Sequence, residues 1–466
     1  MSKTIWRVVP ALALLGALGA CDSGLTDVNR NPNEPEDVPP ANLLGNAIMD
    51  AVGGAYGSHG VWFGMYLSNL WSQHLAQPTY GDEDDYVPRP AQENGVFENA
   101  YVGPLADLAV VRRIAEASGD ENLDAAANTL MQWQFQILTD VYGSIPYSQA
   151  LQGTENPSPA YDTQQQVYDG ILTNLAAAAA QFDASASVTW SDGDFFYGGD
   201  VERWERFANS LRMRAAMRLS EVDAARAQSE FVAAYNAGGF TSNADNAVMR
   251  WGTSGPSRNP IHVHFTGRPL ADFAVSQAIV DTLQNHDDPR LPYYADPALN
   301  TGLFRGLPNG TEPEEISLTP ADFSAISDWY RRPDAPSFVM TYAEVLFLQA
   351  EAAQRGWIAG DPQALWTAGI RANMQQFGIS DADINTYIAA RPFNGLPSIY
   401  TEAWVALFLN GNEAWSLVRR TELPDLTPAV GDQIPNRLSL SPNEALYNPD
   451  NYVPTTLFQP LWWDVN

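Results

Sequence analysis

Between Tyr342 and Trp357 the chain reads YAEVLFLQAEAAQRGW, and Tyr342, Leu346, Ala350, Ala353 and Trp357 step by four, four, three and four residues. That spacing lines the five side chains along one face of an α-helix. The stripe recurs in residues 121–141, through Leu123, Ala127, Leu130, Trp133 or Gln134, and Ile137, and in 401–420, through Trp404, Phe408, Gly411, Trp415 and Val418. A lone amphipathic helix cannot bury its own apolar face, so helices repeated in this way must pack on one another.

The same reading predicts helices over 41–56, 60–76, 94–118, 201–220 and 222–237. Another starts at an Asp162-Thr163 cap and runs to about Phe182, and one restarts at Asp361-Pro362. Residues 240–268, 286–338 and 423–466 are instead dense in Pro, Gly and Asn, which predicts loop excursions with a few short strands. The expected fold is mainly all-α, a superhelix of tetratricopeptide-like hairpins decorated by long loops, although no strict repeat period survives.

Cys21 is the sole cysteine, so no intrachain disulfide can form and packing must hold the fold. Its context is informative. Lys3 and Arg7 precede an apolar run from Val8 to Leu18, and Leu18-Gly19-Ala20-Cys21 resembles a bacterial lipobox. Residues 1–20 therefore read as a lipoprotein signal peptide, Cys21 as the lipidated residue, 21–40 as its tether and 41–466 as the folded domain. The apolar run is too short to span a bilayer, so attachment through acyl chains is expected.

With 55 acidic and 25 basic residues the formal charge is −30, which excludes a nucleic-acid partner on electrostatic grounds. No HExxH, GxSxG or GxxxxGK[ST] signature occurs, and no cofactor is implied. His262 and His264 would share one face of a strand without an evident third metal ligand. The acidic run Gly81 to Asp85 lacks the ligand alternation of a calcium loop. Glu344 and Glu351, seven residues apart, raise the possibility of glycoside hydrolysis, but an ion pair between helices explains them more simply. Candidate ligand-binding residues are the rings Trp71, Tyr80, Tyr86, Trp329 and Tyr330, which stand beside polar loops where a sugar or peptide could be gripped. The competing role for Trp71, on a helix, is in the core.

Several motifs then fall into one order. Asp140-Val141-Tyr142-Gly143-Ser144-Ile145-Pro146-Tyr147-Ser148 resembles the D-x-Y-G-D-I-P-Y-S corner of the SusD/RagB family of outer-membrane nutrient-binding lipoproteins, with Ser144 in place of Asp. Trp204 to Arg214 (WERFANSLRMR), Asp288 to Pro292 (DPRLP), Thr341 to Ala352 (TYAEVLFLQAEA), Gly411 to Trp415 (GNEAW) and Ile434 to Leu438 (IPNRL) are similar to further segments of that family. The resemblance implies a helical body, a cell-surface position on the outer membrane, and a SusC-like TonB-dependent transporter as partner. It also implies capture of an oligosaccharide or peptide without catalysis. The alternative is a helical-repeat scaffold that binds protein and no small ligand.

Overall fold

The computed structural model describes residues 38–267, 272–440 and 442–465. The expected signal peptide, Cys21 and most of the expected tether lie outside the described residues. The helices of two turns or more are α1 Pro40–Gly53, α2 Pro90–Val102, α3 Pro104–Ser118, α4 Glu121–Tyr142, α5 Gln164–Gln181, α6 Val201–Arg218, α7 Ala224–Ala237, α8 Pro260–Gly267, α9 Gln277–Gln284, α10 Tyr342–Gln354, α11 Pro362–Gln376, α12 Asp381–Ala389, α13 Leu396–Ala406 and α14 Gly411–Thr421.

Their starts follow from local chemistry. Asp120 accepts the Leu123 N–H at 3.0 Å at the head of α4, Thr163 and Gln166 form a reciprocal capping box on α5, and Thr341 accepts the Glu344 N–H at 3.2 Å on α10. Packing then runs α3 on α4, α4 on α5, α5 on α6 and α6 on α7. α10 continues the series by touching α6, α11 and α13, and α13 leads to α14. The expected helical-hairpin superhelix is the architecture found.

Boundaries differ where glycine or proline intervenes. The stretch 94–118 is two helices, broken at Gly103-Pro104, because a proline lacks the N–H needed inside a helix but suits its first position. Residues 401–420 are likewise split between α13 and α14, with Leu409 at φ +64° in the break. The segment 60–76 becomes a π-helix, Val61–Ser68, one further helical turn, and a strand at Leu75–Ala76. His262 and His264 sit on helix α8 and not on a strand, so one strand face does not hold both rings.

Two small antiparallel ribbons tie the excursions to the body: Leu75–Ala76 with Ala274–Val275, and Ala247–Met249 with Ser337–Met340. The main core is an aromatic-rich cluster, with Trp190, Trp204, Trp366, Trp404, Trp415 and Trp463 fully buried, and a small second cluster joins Ala76, Ala274, Leu307 and Phe323.

The motifs that resemble the SusD/RagB family meet one another inside this body. Arg214, from WERFANSLRMR, donates to both Glu344 carboxylate oxygens at 2.6 and 2.8 Å, and Glu344 comes from TYAEVLFLQAEA. Arg218 donates to Glu413 of GNEAW at 2.6 Å and lies 3.1 Å from Asp140 of the DVYGSIPYS corner. Arg290, from DPRLP and wholly buried, donates to Asp288, to Glu402 at 2.7 Å and to Asn373 at 3.0 Å. Buried ion pairs contribute little net stability but penalise any packing that separates them, so they fix helix register.

Candidate functional site

The loop after α1, GGAYGSHGVWFGMYLS, packs too tightly to admit side chains at its bends. A Cβ on Gly60 would lie 1.9 Å from the Gly54 carbonyl oxygen. The π-helix that follows is closed by bonds spanning five residues, such as Met65 N–H to the Gly60 carbonyl at 3.1 Å. Ser68 Oγ donates to the Phe63 and Gly64 carbonyls, satisfying oxygens displaced from α geometry. Such wide turns occur often at functional sites. Here the turn stacks Trp62 on Tyr66, with ring centroids 5.1 Å apart and planes 23° from parallel.

This pair forms one wall of a cavity of about 750 Å³, to which Met49, Asp50, Trp251 and Val263 also contribute. Trp251 lies across the end of α1, where a Cβ on Gly53 would come within 2.1 Å of its ring, and its N–H is held by Ser337 Oγ at 3.0 Å. Tyr66 donates to Asp272 Oδ2 at 3.2 Å, and His264 Nε2 lies 3.1 Å from the same oxygen. Burial pushes the Asp50 carboxyl above the usual range, against the lowering effect of its 3.3 Å bond from Asn99. Rings mixed with a few oriented polar groups are what a saccharide-sized ligand requires of a cleft.

A second cavity, of about 510 Å³, has Trp251 in its wall as well, together with Trp329, Arg250 and Arg332. Trp329 is half-buried, set edge-on to Phe377 at 5.0 Å and lying beneath the Arg332 guanidinium, also at 5.0 Å.

Of the rings expected to contact a ligand, only Trp329 lines either of these cavities. Tyr80 is exposed, at φ +61°, and lines neither. Trp71, Tyr86 and Tyr330 are in the core. The Trp71 N–H is used by the Glu83 carbonyl at 3.0 Å, its ring meets Trp415, and the Tyr86 hydroxyl accepts from Ala429 N–H at 2.9 Å. Covered faces cannot stack on a sugar, so these three leave the ligand set; Tyr66 and Trp251, 8% and 7% exposed, are buried too, which leaves Trp62 as the half-open ring of the larger cleft. Trp62, Tyr66 and Trp251 were missed by sequence reasoning. The available signal was the four-residue spacing of Trp62 and Tyr66 inside a glycine-rich segment.

The acidic run is structural. Asp84 accepts from Asn309 Nδ2 at 2.6 Å and from the Gly310 and Gln77 N–H groups at 3.1 and 3.2 Å, while Asp82 and Glu83 pair with Arg89. No group of three or more His, Cys, Asp or Glu suited to a metal occurs among the described residues.

Glu344 and Glu351 do face the same way, but into a cavity of only about 40 Å³. That space suits a water molecule, not a pyranose. Arg420 donates to both Glu351 oxygens at 2.6 and 2.7 Å, and although burial opposes it, that guanidinium and Arg355 hold Glu351 below its usual pKa.

The family described as starch-binding and associating with the outer membrane, SusD-like, matches residues 32–440. The chain belongs to the SusD-like family. Solved structures agree. A chitin-binding protein is 28% identical, with 92% of this chain and all of that one covered at a TM-score of 0.83. A chitin-binding SusD homologue from Flavobacterium johnsoniae is 26% identical over 92% of this chain and 98% of its own, at 0.80. A Bacteroidetes AC2a SusD-like structure is 26% identical over 92% and 100%, at 0.82. Among curated proteins no sequence match is found. The family description places such proteins in association with the outer membrane. Among the described residues of this SusD-like chain, no helix is long and apolar enough to cross a membrane.

Proposed function

We propose that this SusD-like protein captures a glycan at the cell surface, held to the outer membrane by acyl chains on Cys21, and passes it to a SusC-like TonB-dependent transporter. The observation that carries the reading is the aromatic cleft of about 750 Å³ walled by Trp62, Tyr66 and Trp251, in a family described as starch-binding. Chitin-binding relatives at 28% and 26% identity favour a saccharide over a peptide. Pyranose rings present flat C–H faces that stack on the half-open indole of Trp62, while polar groups such as Asp50 and Arg258 orient the hydroxyls. Trp329 extends the ligand set into the neighbouring cavity, and the exposed Tyr80 offers a further contact outside both.

Binding without turnover is the role that the buried acids support. Glu344 and Glu351 are committed to Arg214 and Arg420, and neither faces a space that admits a sugar. Isothermal titration of the purified protein against starch- and chitin-derived oligosaccharides and short peptides tests the reading. Saccharide binding that Trp62→Ala or Trp251→Ala weakens is expected. A protein that binds peptides alone, or that releases shorter sugars by itself, would overturn it.

A further inference from the structure

Arginines in this acidic chain are mostly consumed by carboxylates, as Arg214, Arg218, Arg290, Arg355 and Arg420 show. Arg250 is one of the exceptions. It follows the strand Ala247–Met249, is exposed, and has neither an ion pair nor a side-chain hydrogen bond among the described residues. With 55 acids against 25 bases in the sequence, a cation left without a carboxylate is not explained by a shortage of partners.

Its surroundings are rich in donors. In the cavity of about 510 Å³ that Arg250 lines, Arg332 lies 5.0 Å over the Trp329 ring and forms a long ion pair, 3.6 Å, with Asp334, which lines the same cavity. An oxyanion in this cavity would give the Arg250 guanidinium the partner it lacks and would compete with Asp334 for Arg332. Trp329 supplies a ring beside the charges, so the ligand that fits is flat and carries its anion on the ring.

We infer that this cavity receives the carboxylate of a uronic acid residue within the captured glycan. The inference rests on the glycan-capture reading and narrows it to acidic saccharides. Arg250 and Arg332 clamp the carboxylate, and the uronic acid ring lies against Trp329. The neighbouring cleft, which shares Trp251, takes the adjoining sugars.

The test is titration calorimetry of the purified chain with trimers of galacturonate, glucuronate and mannuronate, their methyl esters, sulfated oligosaccharides, and neutral chitotriose, at low and high salt. At least one free acid is expected to bind about tenfold or more tightly than its methyl ester, with the difference shrinking at high salt. Arg250→Ala and Arg332→Ala, both at exposed positions, are each expected to erase the preference, and Arg250→Lys to keep part of it. Acids and esters that bind alike, or a preference confined to sulfated sugars, would overturn the inference while leaving glycan capture intact. No binding of any saccharide would remove both.

Discussion

The indole N–H of Trp463 donates to Asp140 Oδ1 across 2.9 Å, joining the last loop-rich stretch to the end of α4. Asp140 also accepts from the Tyr168 hydroxyl and from Arg218 Nε, so one buried carboxylate holds α5, α6 and the closing loop together. The DVYGSIPYS corner is thus a junction of the scaffold. Gly143 turns it at φ +80° and ψ −112°, outside the left-handed helical cap that a tyrosine-glycine stop suggests but still on the side of φ that favours glycine.

Asp140→Ala should leave Arg218 without one of its two buried carboxylates and cost roughly 3–5 kcal/mol, as breaking a buried ion pair does. Trp463→Ala should cost a similar amount, about 3–5 kcal/mol, through loss of a fully buried ring. Urea unfolding monitored by circular dichroism measures both. Midpoints equal to that of the unaltered protein would show that the junction does not hold the loop.

Glu351→Ala takes the carboxylate away from Arg420, which is 2% exposed, and is expected to destabilise the fold by roughly 3–5 kcal/mol. Saccharide affinity of whatever fraction remains folded should be unchanged. Loss of a hydrolytic activity in Glu351→Gln, observed with a natural oligosaccharide, would contradict a structural role.

Trp62→Ala removes one ring of the stacked pair at the cleft and should weaken a saccharide ligand roughly three- to tenfold, the worth of a ring contact. Trp71→Phe, which alters a buried ring, should leave affinity as it was and lower the melting temperature. Calorimetry and thermal scans on the two variants separate ligand contact from support, and the opposite pattern would reverse the assignment.

Two kinds of buried group oppose each other on acidification. Burial lowers His59 to about 4 and His74 to about 3. The unfolded chain therefore takes up their protons first, near 6.5, and stability falls as pH drops from there toward 4. Burial pushes Asp84 up to about 7, so between about 4 and 7 the folded state holds the extra proton and stability rises on acidification. Asp84→Asn removes only the second effect. Its urea midpoint should therefore fall more steeply between pH 7 and pH 5 than that of the unaltered protein, and equal slopes would show that Asp84 ionises normally.

Cys21→Ser is expected to abolish incorporation of labelled palmitate and to move the protein out of the membrane fraction. Undiminished labelling would exclude this residue as the anchor.

Much of the scaffold is legible in the chain because helix formation is local. The stripe from Tyr342 to Trp357, the Thr163 cap and the Asp361-Pro362 restart all act through residues within a turn or two. Breaks were harder to place, since Gly103-Pro104 and Leu409-Asn410 interrupt patterns whose apolar spacing continues across them. The candidate site was the least legible part. Burial of a ring depends on partners far away in sequence: Trp71 lies against Trp415, whereas Trp62 is left half-open beside Trp251.

Local periodicity and capping residues thus determined from sequence alone that this chain folds as helical hairpins, because each acts over a few residues. Only tertiary packing decided which aromatic faces stay open and which arginines meet a carboxylate. Both are properties of the space between segments up to hundreds of residues apart, and no short-range pattern encodes that space.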